Sequence, residues 1–206
     1  MESIRIVDRD RLIIREIDRW RVCLGRHIKE LAGFTGQRAC DRRLRKLINA
    51  GYIKRKRILY GISAIYQATN KARLIVDVTP SGLVRLEHIK HDITVTDTAI
   101  HFIRSGVPLS AITTEKQLHM MDGFSQRKHR PDFLFTHEGK TVCVEVELSL
   151  KDRNRFERIM KDNFINYDRQ IWVVQDLRSK IARILKENRP KYPNIELLKL
   201  SEVYLK

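Results

Sequence analysis

Three cysteines, Cys23, Cys40 and Cys143, are all that the 206 residues contain. The number is odd and no CxxC pair occurs, which argues against a disulfide framework or a zinc knuckle and for a reducing, cytoplasmic home. Long apolar runs are missing too, so no segment reads as membrane-spanning. The opening MESIRIVDRDRL is charged throughout, unlike a signal peptide. No lysine-rich tail or basic amphipathic anchor stands out to favour acidic lipid as a partner, so no membrane partner is expected. Internal repeats and low-complexity tracts are also absent.

Negative charge is in short supply. Lys and Arg number 41 against 25 Asp and Glu, a formal net charge of +16 with a pI near 10.1. Such an excess points to a polyanion, most often nucleic acid. It is uneven: residues 1–70 hold 17 Lys+Arg against 7 Asp+Glu, or +10, and the other 136 residues hold 24 against 18, or +6. The hydrophobic content of 42% suits a soluble globular chain, and the length suits one large or two small domains.

In the basic first third, DRDRLIIREIDRW (8–20) places Leu12, Ile13, Ile17 and Trp20 at helical spacing. A short helix follows over Leu24–Leu31, then the turn GFTGQ with Thr35 as N-cap. The third helix runs through QRACDRRLRKLINAG, with Ala39, Leu44, Leu47 and Ile48 inside and Arg38, Arg42, Arg43, Arg45 and Lys46 outside, ended by Gly51. Two β-prone runs, Tyr52–Tyr60 and Ala64–Thr69, flank Gly61 as a hairpin carrying Lys54, Arg55, Lys56 and Arg57. Three helices and a basic hairpin are the order of a winged helix, whose third helix enters the major groove of double-stranded DNA while the wing touches phosphate. A solvated basic hairpin, or a winged helix that docks protein, remains the alternative. RLIVDVT (73–79) reads as a strand, and Thr79-Pro80-Ser81-Gly82 is the clearest boundary signal. The expected division is a winged-helix domain over 1–80 and a second domain over 90–206.

That second domain alternates helices and strands: a helix from His91, capped by Asp92 or Thr94, cored by Ile93, Thr96, Ile100 and Ile103 and stopped by Gly106; then a short extended piece and a helix carrying Glu115. A hairpin, a helix over 151–164, the strand RQIWVVQD, a helix over 177–187 and the strand IELLKL complete it. The fold class expected is α/β (α+β overall), a central sheet covered by helices.

The hairpin HRPDFLFTHEGKTVCVEVELSLK (129–151) carries the chemistry. In TVCVEVEL, Val142, Val144 and Val146 face one side and Cys143, Glu145 and Glu147 the other. A short EGK turn brings Asp132 beside Glu145. Two readings stay open at this point: solvent-facing acids on an exposed strand, or carboxylates that need a cation between them, for which oxygen ligands suit Mg²⁺ or Mn²⁺.

Two motifs carry a resemblance. The run RRLRKLINAGYIKRKR resembles winged helices of the replication-relaxation type, and PD-x12-EVE-x3-K over 131–151 resembles the PD-(D/E)xK nuclease core. The combination is similar to the MOBC relaxases of plasmid mobilisation across nearly the whole chain. The resemblance implies a restriction-endonuclease-like domain in which Asp132 and Glu145 hold the metal, with Glu115 as a further ligand. It departs from that core at Glu147, which stands where the lysine usually does; the lysine's role then falls to Lys151, provided it reaches in from the next helix. His91 and His129 lie where such chains place histidines. A tyrosine-nucleophile route is disfavoured, since there is no HxH pair, His88 and His91 are three apart, and Tyr167 sits in a loop.

The function expected is a metal-dependent DNA endonuclease or nickase, acting on origin or mobile-element-end DNA with mobilisation or transposition proteins as partners. The alternative is a non-catalytic replication or transcription factor with a degenerate nuclease fold, and a transposon-end endonuclease is a third reading.

Overall fold

The computed structural model describes residues 4–58, 60–61, 63–79, 86–122, 129–149 and 152–204. The chain divides into two compact units, residues 1–96 and 97–206.

In the N-terminal unit, α1 (Asp8–Arg19), β1 (Cys23–Leu24), α2 (Gly25–Leu31), α3 (Gln37–Asn49), β2 (Ile53–Lys56) and β3 (Ile65–Ala68) follow in order. The strands form one antiparallel sheet, β1-β3-β2. Helix α1 turns Ile13, Ile14 and Ile17 fully inward, followed by Trp20; each such burial is worth about 2 kcal/mol. Leu12, expected in that stripe, is only half-buried, because Ile14 takes the inner position. On α3 the fully buried residues are Cys40, Leu44 and Leu47, and Ala39 and Ile48 lie half-buried on the flanks of the stripe. The N-cap of α3 is Gly36 rather than Thr35, with no side chain capping it. At the other end Gly51 adopts φ +79°, and the Gly51 and Tyr52 N–H groups bond back to Ile48 O and Leu47 O. Only glycine takes that left-handed backbone without strain, so the helix stops there and the chain reverses into β2.

The run RLIVDVT is not a strand. A 3₁₀ helix covers Asn70–Leu74, and the next residues are irregular. Side chains of α1 supply hydrogen bonds that a strand would draw from a neighbour: Arg11 donates to Ile75 O at 2.6 Å and Asp18 accepts from Thr79 N–H at 3.2 Å. The boundary residues Pro80, Ser81 and Gly82 lie outside the described residues.

The unit division falls inside α4 (Ile89–Arg104), which starts two residues before the expected His91. Its opening residues Ile89 and Ile93 join Val22, Leu24 and Ile65 in the N-terminal core. Asp92 and Thr94 are not caps; they lie within the first turns, and Thr94 Oγ1 donates to Lys90 O. Gly106, at φ +101°, stops the helix as expected.

The C-terminal unit holds a five-stranded sheet in the order β4 (Ile112–Thr114), β5 (Phe133–His137), β6 (Lys140–Glu147), β7 (Arg169–Val174), β8 (Ile195–Lys199). The first three are antiparallel neighbours, while β6, β7 and β8 run parallel. Parallel pairs need crossovers, supplied by α6 (Arg153–Asn166) and α7 (Lys180–Asn188). Helix α5 (Glu115–Met121) follows β4, and α8 (Leu200–Val203) follows β8. Thr114, Asp152 and Ser179 cap α5, α6 and α7 with their side chains. The β5–β6 turn has two residues, Glu138 and Gly139, both at positive φ, the backbone that matches the twist of a two-residue hairpin.

Candidate functional site

Strand β6 is buried on both faces, and the alternation read from its sequence sorts them. Val142 and Val144 lie opposite Phe135 and Phe133 of β5, and the ring of Phe102 from α4 packs against both phenylalanines. Cys143, Glu145 and Glu147 take the other face, in register with Gln170, Trp172 and Val174 of β7. Helix α6 covers the β7 part of that face with Phe156, Ile159 and Met160. Glu145 and Glu147 are therefore not solvent-facing acids; both are over 95% buried.

Continuing the β5–β6 register past Phe133↔Val144 sets Asp132 opposite Glu145. The ladder ends there, and Asp132 closes it with its side chain: Oδ2 accepts the Val146 N–H at 2.7 Å. The Asp132 carbonyl accepts the Glu115 N–H at 2.9 Å, tying the start of α5 to the start of β5. Just upstream, buried Arg130 donates through Nε to Asp122 at 3.0 Å.

The carboxylate of Glu145 has two partners on one oxygen. Oε1 contacts His129 Nε2 at 2.5 Å and accepts from Asn163 Nδ2 at 2.9 Å. A buried carboxylate is costly unless hydrogen-bonded or paired, and these two groups supply that stabilisation. The Oδ1 of Asn163 is itself buried without a hydrogen-bond partner among the described residues, an unmet acceptor beside the acid.

The structure thus brings Asp132, Glu145 and His129 to one end of the β5–β6 pair and leaves Glu147 buried farther along β6. Glu115 reaches the cluster through its backbone, whereas its carboxylate faces His119 Nε2 at 3.5 Å, one turn along α5. Lys151 lies outside the described residues. Among the described residues no three His, Cys, Asp or Glu side chains stand close enough together to hold a metal ion. The oxygen donors of Asp132 and Glu145, with the unmet Asn163 acceptor, nevertheless fit the chemistry of a hard divalent cation.

Neither thiol nor phenol chemistry suits this corner. Burial raises the Cys143 thiol far above its ordinary value, and Glu145 raises it further. Burial likewise pushes the Tyr167 phenol up to about 12, with Cys143 and Glu145 adding to it. An activated nucleophile needs the opposite shift.

Sequence reasoning left Asn163 out and gave His129 little weight. The signal for Asn163 is its position: Phe156, Ile159 and Met160 form a helical stripe whose next member is an amide where an apolar residue belongs.

The cationic face lies on the N-terminal unit. Arg38, Arg42, Arg45 and Lys46 are exposed on α3, and none has an acidic partner among the described residues. Arg43 departs from the expected outer face. It is half-buried, its guanidinium clasps both oxygens of the fully buried Asp10, and it also donates to Arg5 O. It lies nearer the α1 side of the helix than Arg42 does, and Asp10, which also accepts the Val7 N–H, draws it in. Along the hairpin Arg55, Lys56 and Arg57 are exposed and Lys54 half-buried, with Arg55 opposite Tyr66.

No helix among the described residues is long and apolar enough to cross a membrane. Compared with known proteins, the chain matches no family model, no curated protein and no solved structure.

Proposed function

We propose that the chain binds double-stranded DNA through α3 and the β2–β3 hairpin and cuts a strand with the acids at the β5–β6 end, as a metal-dependent endonuclease or nickase of the PD-(D/E)xK kind. The observation that carries it is the register Asp132 opposite Glu145 on adjacent strands, with Glu145 buried against His129 and Asn163. Topology supports the same reading: an antiparallel strand pair bearing the acids, followed by a helix and a parallel strand. The N-terminal order of three helices and a hairpin supports a winged helix.

In this reading Asp132 and Glu145 hold a Mg²⁺ or Mn²⁺ ion, which supplies, when bound, an activated water and charge neutralisation at the scissile phosphate. The chain's own contribution is positioning. The Val146 N–H fixes Asp132, and His129 and Asn163 fix Glu145. Plasmid or mobile-element DNA, with mobilisation or transposition proteins as partners, is the setting that the motifs of the sequence suggest.

The second reading, a DNA-binding replication or transcription factor with a degenerate nuclease fold, is favoured by Glu147 at the lysine position. Supercoiled plasmid carrying candidate origin DNA separates the two. With Mn²⁺ the first reading expects nicked circles, abolished by EDTA, Asp132→Ala or Glu145→Ala; tight DNA binding without metal-dependent nicking establishes the second.

A further inference from the structure

A groove of about 550 Å³ opens in the N-terminal unit between the start of α1, Phe34 and one flank of α3. That volume is in the range of small-molecule sites. Its α3 wall is the stripe Ala39, Arg42, Arg43, Lys46, spaced i, i+3, i+4, i+7, so the four side chains stand in one row. Ala39 leaves room at the Phe34 end, and Phe34 is capped by the Arg9 guanidinium 4.9 Å from its ring centre.

The charges in this groove are not equivalent. Arg43 and Asp10 neutralise each other through a two-pronged ion pair that forms a fixed polar floor. Arg9, Arg42 and Lys46 remain as cations with no acidic partner among the described residues. Three cations around a neutral floor select an anion, and the flat Phe34–Arg9 pair selects a planar ring; aromatic rings and guanidinium planes both stack bases. Inorganic phosphate alone would leave the apolar end empty.

We propose that this groove is a nucleotide site, with the base against Phe34 and Arg9 and the phosphate between Arg42 and Lys46. A free nucleotide and an unpaired nucleotide of a DNA strand share that chemistry. The site borrows Arg42 and Lys46 from the proposed DNA face but does not need duplex binding to exist.

Calorimetry on the full chain with dAMP, deoxyadenosine and inorganic phosphate tests it. The site binds dAMP at least about tenfold more tightly than either fragment, and Phe34→Leu lowers dAMP affinity about tenfold while leaving phosphate unchanged. Should Phe34→Leu melt early, Arg9→Gln on the exposed side chain serves in its place and lowers dAMP affinity. A single-stranded dodecamer that binds more tightly than dAMP, and is displaced by it, identifies strand DNA as the source; a dodecamer no tighter than dAMP identifies the free nucleotide. The proposal is overturned if dAMP binds no better than phosphate, or if neither substitution changes dAMP affinity. A chain that binds dAMP but not duplex would retire the DNA reading and keep this one, whereas duplex binding with no preference for dAMP would do the reverse.

Discussion

Each unit buries a carboxylate, and the company each keeps differs. In the N-terminal unit Asp10 is clasped by Arg43, a permanent cation, and its charge is consumed in holding α1 to α3. In the C-terminal unit Glu145 meets the imidazole of His129 and the neutral amide of Asn163. No Lys or Arg pairs with Glu145 among the described residues. A carboxylate matched by arginine is a structural fixture; one held by an imidazole and an amide has no permanent cation against it among the described residues. The same contrast separates the arginines: Arg43 is committed to Asp10, and Arg42 beside it has no acidic partner among the described residues.

The largest effect expected is on stability. Asp10→Ala leaves the part-buried Arg43 without its partner and should cost about 3 kcal/mol, read by urea unfolding at Trp20 in the same unit. Glu145→Gln keeps the shape and an acceptor for Asn163 and should stay within about 1 kcal/mol of wild type. Equal losses would break the comparison.

Next comes DNA affinity. Arg42→Ala should weaken duplex binding about tenfold and lower the salt slope by about 1, with unfolding unchanged. Arg43→Ala should instead destabilise the unit, because its guanidinium holds Asp10. A salt slope unchanged in Arg42→Ala removes Arg42 from the DNA face.

A smaller effect belongs to Asn163→Leu, which removes one hydrogen bond to Glu145 and should cost about 1 kcal/mol, measured by unfolding at Trp172. If cleavage survives that change undiminished, Asn163 does not position Glu145.

The smallest effect is one of pH. Burial raises the Glu16 carboxyl above its ordinary value, against the pull of Arg19 and the Trp20 N–H. A raised acid binds its proton more tightly when folded, so its contribution is full below about pH 4.5 and is lost as pH rises through the folded value. Glu16→Gln should remove that downward component between pH 4.5 and neutrality; an unaltered pH profile would place Glu16 outside the account.

Much of this architecture was legible because its signals are local. The Glu138-Gly139 turn, the valine–glutamate alternation and the glycine stops at Gly51 and Gly106 each depend on a few adjacent residues. Pairings between distant residues were not legible. Arg43 reads as an outer-face charge, and nothing local links it to Asp10, 33 positions away, until α1 and α3 pack. RLIVDVT has strand composition, yet α1 side chains satisfy Ile75 O and Thr79 N–H in the place of a strand. At the candidate site the acids were visible by spacing. Their burial was not, because the groups that meet Glu145, His129 and Asn163, stand 16 and 18 positions away in the chain.

The most direct measurement puts duplex affinity and metal-dependent nicking side by side for wild type and Glu145→Gln. The account predicts equal affinity, with nicking by wild type in Mn²⁺ and none by the variant. Equal nicking by both proteins, or no nicking by wild type on DNA that it binds tightly, would contradict it.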